Sequence, residues 1–150
     1  MKKAILFCYS FHHGNTKKVA EVVAARYGIR LVSVPVKEAF NLSEYELVGF
    51  ASGIYMSDFG KPIREFASAL EGLEGKECFT LFTHGAPKGA YDQTFVDLLT
   101  KKGATIAGRF GCRGFDTFGP FKLVGGIAKG HPDNGDVAEA VTYFGDLLKD

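Results

Sequence analysis

Six consecutive positions of mostly apolar character, Ala4-Ile5-Leu6-Phe7-Cys8-Tyr9, follow a short basic start. A strand with one wet face would alternate polar and apolar residues, so this continuous run predicts a strand buried on both faces. A polar turn from Ser10 to Asn15 comes next. Val19, Val22, Val23 and Tyr27 then recur at helical spacing over residues 16–27, and Gly28 stops the helix. Further strands are predicted at 29–36, with Pro35 near the end, and at 47–52, 78–83 and 104–110. Pro62 suits the first turn of a helix whose buried face carries Ile63, Phe66 and Leu70, closed by Gly72 and Gly75. Phe95, Leu98 and Leu99 mark a helix over 92–102, and Val137, Val141, Phe144 and Leu148 a last one. Residues 53–60 and 84–90 read as loops. Residues 111–133 form a long glycine-rich connection with Phe115, Phe118 and Phe121 in it.

Alternation of strands and helices implies an α/β domain, with a parallel sheet, helices on both faces and right-handed crossovers. In such sheets ligands sit beyond the carboxyl ends of the strands, where the strand order reverses. The loops after the first, third, fourth and fifth predicted strands are therefore the places to look for chemistry.

At 150 residues the chain is the size of one domain, and 46% hydrophobic with 23% charged residues is a globular balance. No apolar run approaches a membrane span. The first apolar run is too short for a signal peptide and lacks a small-residue cleavage site, so a cytoplasmic protein is expected. Cys8, Cys78 and Cys112 show no metal-ligand or Cys-x-x-Cys spacing. Cys8 and Cys78 read as small buried hydrophobes, Cys112 as a loop thiol. No metal site and no catalytic acid, base or nucleophile is expected.

The net charge of +1 hides an uneven distribution. Residues 1–30 carry Lys2, Lys3, Lys17, Lys18, Arg26 and Arg30 against Glu21; residues 101–131 carry Lys101, Lys102, Arg109, Arg113, Lys122 and Lys129 against Asp116. Residues 31–75 and 132–150 are acidic on balance. No dense basic run interleaved with aromatics appears, which argues against a nucleic-acid partner.

The first loop, Ser10-Phe11-His12-His13-Gly14-Asn15-Thr16, leads from a buried strand into a helix amino end. Such an end offers unpaired N–H groups and a positive dipole, which suit a phosphate. Gly14 permits close backbone approach, and the Asn15 and Thr16 side chains can donate or cap the helix. The lysine of a nucleoside-triphosphate loop is absent. A phosphoacceptor receiver domain would need acidic residues where this chain has Tyr9-Ser10 and Ser52-Gly53.

Tyr9-Ser10-Phe11-His12-His13-Gly14-Asn15-Thr16-Lys17-Lys18-Val19-Ala20 resembles the FMN phosphate loop of the flavodoxin family, a Ser/Thr-rich run ending in Thr-Gly-Asn-Thr. Gly14, Asn15 and Thr16 match it position by position. Phe11, His12 and His13 stand where hydroxyl residues are usual, and one of the two histidines is expected at the phosphate. The resemblance implies a flavodoxin-like three-layer sandwich in which a five-stranded parallel sheet of order 2-1-3-4-5 carries helices on both faces. It implies FMN as cofactor and electron transfer as function, with a reductase or iron–sulfur protein as redox partner. By the same resemblance Ser52, Gly53, Ile54 and Tyr55 supply a ring-stacking side chain and a mobile peptide, for which Gly53 is the candidate. The chain has no Trp, so Tyr55 or Ile54 would stack. Thr83, His84, Gly85 and Ala86 would serve the pyrimidine edge through backbone donors, with Tyr91 as a further aromatic. Ser52-Gly53-Ile54-Tyr55 with Ile63-Arg64-Glu65-Phe66 also resembles the flavodoxin-like protoporphyrinogen oxidases. This keeps two alternatives open: an FMN oxidoreductase with its own substrate, such as a quinone reductase, and a flavin-free partner-binding module.

Overall fold

The computed structural model describes residues 1–10, 13–86, 89–117 and 123–150. Strand β1 is Ala4–Tyr9, helix α1 Asn15–Tyr27 and strand β2 Arg30–Ser33. Strand β3, Leu47–Tyr55, turns into a two-residue strand β4, Asp58–Phe59, which leads to helix α2, Lys61–Ala69. Strand β5 is Glu77–His84, helix α3 Gln93–Lys101, strand β6 Thr105–Arg113 and helix α4 Asn134–Leu147.

The sheet runs β2-β1-β3-β5-β6, all parallel, with β4 antiparallel on the end of β3. Counting the parallel strands alone, the order is the expected 2-1-3-4-5, and the fold is flavodoxin-like. Alternation along the strands separates two apolar layers. Ile5 and Phe7 of β1, Val48 and Phe50 of β3, and Phe82 of β5 face α2 and α3 through Ile63, Ala67, Phe95 and Leu99. Leu6 and Cys8, Leu47 and Ala51, and Phe79 and Leu81 face α1 and α4 through Val19, Val23, Ala140 and Phe144. Both faces of the sheet are covered, which is why its strands read as continuous apolar runs.

Three expectations are corrected. Strand β2 is four residues long, not eight: it is the sheet edge, paired only with β1, and Pro35 has no N–H to extend the ladder. No α-helix returns the chain to β3; a 3₁₀ turn at Leu42–Glu44 does so, and Phe40 packs 5.0 Å from Phe7. Residues 53–60 are not a loop. β3 continues to Tyr55, and a turn with Met56 at φ 52° and Ser57 at φ 66° pairs Ile54 with Phe59. The Ser52 hydroxyl ties this hairpin together, accepting from Gly60 N–H at 3.0 Å and donating to the Gly53 carbonyl at 2.6 Å. Finally, β6 runs on to Arg113, so Cys112 is a buried strand residue rather than a loop thiol. Burial pushes the thiols of Cys8, Cys78 and Cys112 up to about 12, which makes all three poor nucleophiles.

Candidate functional site

The carboxyl ends of β1, β3, β5 and β6 meet around a narrow cleft. Its walls are Asn15 from α1, Gly53, Ile54 and Tyr55 from β3, Thr83, His84 and Gly85 from β5, and Gly114, Phe115 and Asp116 beyond β6. Gly53 is a strand residue in register with Thr83, and its carbonyl is held by Ser52, so it is not the slack peptide of this loop. The strained backbone lies one step further on, at Met56 and Ser57, and Met56 is 83% exposed.

The first loop delivers the amino end of α1 to this cleft. Gly14 takes a left-handed conformation, φ 65°, and a Cβ built there would meet nothing within 4 Å. No side chain caps the helix at Gly14. Ser10 Oγ accepts from the Lys17 N–H at 3.1 Å and so takes up one amide of the first turn, whose other amides have no partner within the helix. The side chains of Asn15 and Thr16 have protein partners. Asn15 Nδ2 donates to the Phe115 carbonyl at 2.8 Å, and Thr16 Oγ1 lies 2.8 Å from Thr83 Oγ1 in a buried pair beneath the cleft. Neither hydroxyl nor amide caps the helix. Phe11 and His12 lie outside the described residues. His13 Nε2 shares a 2.9 Å hydrogen bond with Thr117 Oγ1, and its ring centre is 4.6 Å from that of Phe115.

On the opposite wall, His84 Nδ1 donates to the Ala86 carbonyl at 2.8 Å, which fixes the ring and leaves Nε2 as the acceptor when the imidazole is neutral. Tyr91 packs 5.3 Å from His84 and against the α2–α3 layer, and it is not among the cleft walls. Pro87 and Lys88 of this loop lie outside the described residues.

Sequence reasoning flagged the segment after β6 only for its length and aromatic content, yet Gly114, Phe115 and Asp116 form one side of the cleft. The Gly114 N–H donates to the His84 carbonyl and the Phe115 N–H to the His131 carbonyl, while Asp116 and Ile127 exchange backbone bonds at 3.0 and 2.8 Å. Arg113 Nε donates to the Gly85 carbonyl at 3.1 Å. A Cβ on Gly85 would stand 2.3 Å from Asp116 Cβ, so only glycine admits this approach. Phe118 and Phe121 of the same connection lie outside the described residues. With the segment in this position the cleft encloses only about 20 Å³, against the hundreds of Å³ of an organic-ligand site.

A family model described as a flavodoxin domain matches residues 6–114. An uncharacterized protein of Methanocaldococcus jannaschii is 34% identical over 149 residues, covering 98% of this chain and 99% of its own. Among solved structures, a flavodoxin from the domain Archaea superposes with a TM-score of 0.69 at 16% identity, over 97% of this chain and 96% of its own. A flavoprotein from Lactobacillus acidophilus NCFM, solved in complex with FMN, gives 0.62 at 17% identity, over 74% of this chain and 93% of its own.

Proposed function

Since the chain belongs to the flavodoxin family, we propose that it binds one FMN at the carboxyl ends of its parallel strands and serves as an electron carrier. The observation that carries this reading is the left-handed start of α1 at Gly14, a cap residue with no side chain, which opens onto a cleft built from the ends of β3, β5 and β6.

The residues present suit FMN in kind. A phosphate needs N–H donors at a helix end and room to approach, and the Gly14–Thr16 turn has both. Thr16 would serve through its amide, because its hydroxyl is committed to Thr83. The half-buried Ile54 and Tyr55 offer the apolar wall a flavin ring requires, and the β5 end offers backbone polar groups opposite. Entry of the ring requires Phe115 and Asp116 to move from their seat over Gly85. Their anchors there are a few side-chain and turn hydrogen bonds rather than a sheet ladder.

Bound there, FMN supplies the redox chemistry, in one- or two-electron steps. The protein binds the phosphate, orients the ring, and keeps water from it with Tyr55 and Phe115. No side chain of the cleft is asked to act as acid or base. FMN-loaded protein that is inert toward NAD(P)H and quinones, yet exchanges electrons with a flavoprotein reductase or an iron–sulfur protein, supports the carrier. Direct turnover of NAD(P)H or a quinone would make it an enzyme with its own substrate.

A further inference from the structure

The crossovers from β1 to β2, β3 to β5 and β5 to β6 carry α1, α2 and α3, but the one from β2 to β3 has only the 3₁₀ turn at Leu42–Glu44. A parallel crossover is usually a helix that covers the sheet. Residues 35–41 cross this face without one, and a groove of about 870 Å³ lies between them and α2. It is far larger than the cleft at the strand ends and shares no wall residue with it. Its floor is apolar, built from Val36, Phe40, Pro62, Phe66 and Leu70. Phe40 and Phe66 both rest against the fully buried Phe7, at 5.0 and 4.8 Å between ring centres, so the core holds the floor in place. Pro62, Phe66, Ala69 and Leu70 follow one stripe along α2 and its C-cap. The nine residues of that helix span about 14 Å, enough for the i, i+4 and i+7 anchors of a second helix laid alongside.

The walls are acidic. Glu38, Glu65 and Glu71 stand there against Lys61 alone. Two of these acids are partly balanced: Arg30 reaches Glu38 at 3.2 Å from outside the groove, and Lys61 pairs with Glu65 one turn on at 3.6 Å. Lys37 is exposed beside Glu38 but is not a wall residue. Glu71 is exposed and has no ion-pair partner among the described residues. It stands just past the carboxyl end of α2, whose last carbonyls add negative potential and whose last turn holds no basic residue. Lys102 donates to the Ser68 carbonyl at 2.7 Å, and neither residue lines the groove. The Leu70–Glu71 end of the groove is therefore its negative end.

From the missing crossover helix, the preformed apolar floor and this negative end, we infer that the groove is the docking site for a basic amphipathic helix of a protein partner. The helix lies along α2 with its apolar stripe on Phe40 and Phe66 and a Lys or Arg at Glu71. Burial of the stripe supplies the affinity, and the charge at one end sets the direction of the helix. Because Glu71 is exposed, its contribution is screened by salt.

The test is fluorescence anisotropy of two labelled helical peptides of about 14 residues, one with lysines flanking a leucine stripe and one with glutamates in place of the lysines. The lysine peptide is expected to bind one per chain, more weakly as salt rises, and the glutamate peptide at least about tenfold more weakly. Ala69→Arg sets a long cationic side chain in an exposed wall, and Glu71→Lys reverses the charged end. Each should weaken the lysine peptide at least about tenfold, with far-UV circular dichroism and FMN uptake unchanged. Equal binding of the two peptides, binding of neither, or binding that ignores both substitutions overturns the docking site. So does sedimentation as a dimer that Ala69→Arg makes monomeric, which would give the groove to a second copy of the chain. Dodecyltrimethylammonium bound more tightly than the lysine peptide, and lost with the same substitutions, would give it instead to a small apolar cation. Failure to take up FMN bears on the strand-end cleft and leaves the groove standing.

Discussion

The hydroxyls of Thr16 and Thr83 meet 2.8 Å apart, with the two residues 1% and 4% exposed. Removing one leaves the other unpaired in a dry place, at a cost of about 1–3 kcal/mol, whereas replacing both by groups of the same shape is nearly neutral. Thr16→Val and Thr83→Val should each lower stability by about that much, and the double variant should recover most of the loss. Urea unfolding of the three variants measures it; a double variant that loses the sum of the two singles would show that the hydroxyls are uncoupled. Asp92 is a second buried polar residue. It accepts from Thr80 Oγ1 at 2.8 Å and from Arg109 through Nε at 2.8 Å and Nη2 at 2.7 Å. Burial alone would raise its carboxyl, but the hydrogen bonds from Arg109 and Thr80 outweigh burial and hold it below the usual carboxylate range. A carboxyl depressed in the folded state stabilises above its unfolded value, about pH 3.9, and loses that contribution as pH falls through its folded value. Wild-type stability should therefore fall on acidification below about pH 4 more steeply than that of Asp92→Asn. The substitution itself should cost about 1.5–3 kcal/mol at neutral pH. Parallel slopes for the two proteins in urea titrations between about pH 2 and 5 would contradict this. At this scale the sequence was partly legible. Gly14-Asn15-Thr16 marked the turn that starts α1 at the cleft, but side-chain partners 67 and 100 residues away decide where the Thr16 hydroxyl and Asn15 amide point. No local pattern encodes those partners.

Hydrophobic periodicity located the interior of every major helix and of all five parallel strands, because burial of a face or of a whole strand is written into consecutive residues. It failed at the ends, where pairing decides. β6 reaches Arg113 because β5 offers partners as far as His84, and β3 reaches Tyr55 because Asp58 and Phe59 fold back on it. The turn of that hairpin is Met56-Ser57, both left-handed, where Asn-Gly would announce itself. Ser57→Gly removes a side chain from a left-handed position and should stabilise by about 1 kcal/mol, raising Tm by about 2–4 °C in a protein of this size. An unchanged or lower Tm in thermal unfolding would mean that the turn carries no such strain. The segment after β6 was legible only as too long to be idle. That it folds over the cleft depends on glycine at 85 and 114, where a Cβ would stand 2.3 Å from Asp116 and 2.7 Å from Asn15 Nδ2.

For the molecule as a whole, the sheet order fixes where the strand connections reverse, and the cleft opens there at the carboxyl ends of the strands. The sheet order was legible only through the resemblance of the first loop to the flavodoxin family, and the place of the cleft through the α/β alternation, because a doubly wound sheet leaves one edge of strand ends uncovered by helices. The small volume of the cleft was not, since it arises from contacts among four separate loops. Among the described residues no helix is long and apolar enough to cross a membrane. The central claim is that FMN binds with its phosphate at the start of α1, and comparison of FMN with riboflavin tests it most directly. Titration of the apoprotein with each flavin, followed by quenching of flavin fluorescence, should give one FMN per chain. FMN should bind at least about tenfold tighter than riboflavin, the value of a single hydrogen bond to a charged group. Equal affinity for the two flavins, or binding of neither, would contradict it.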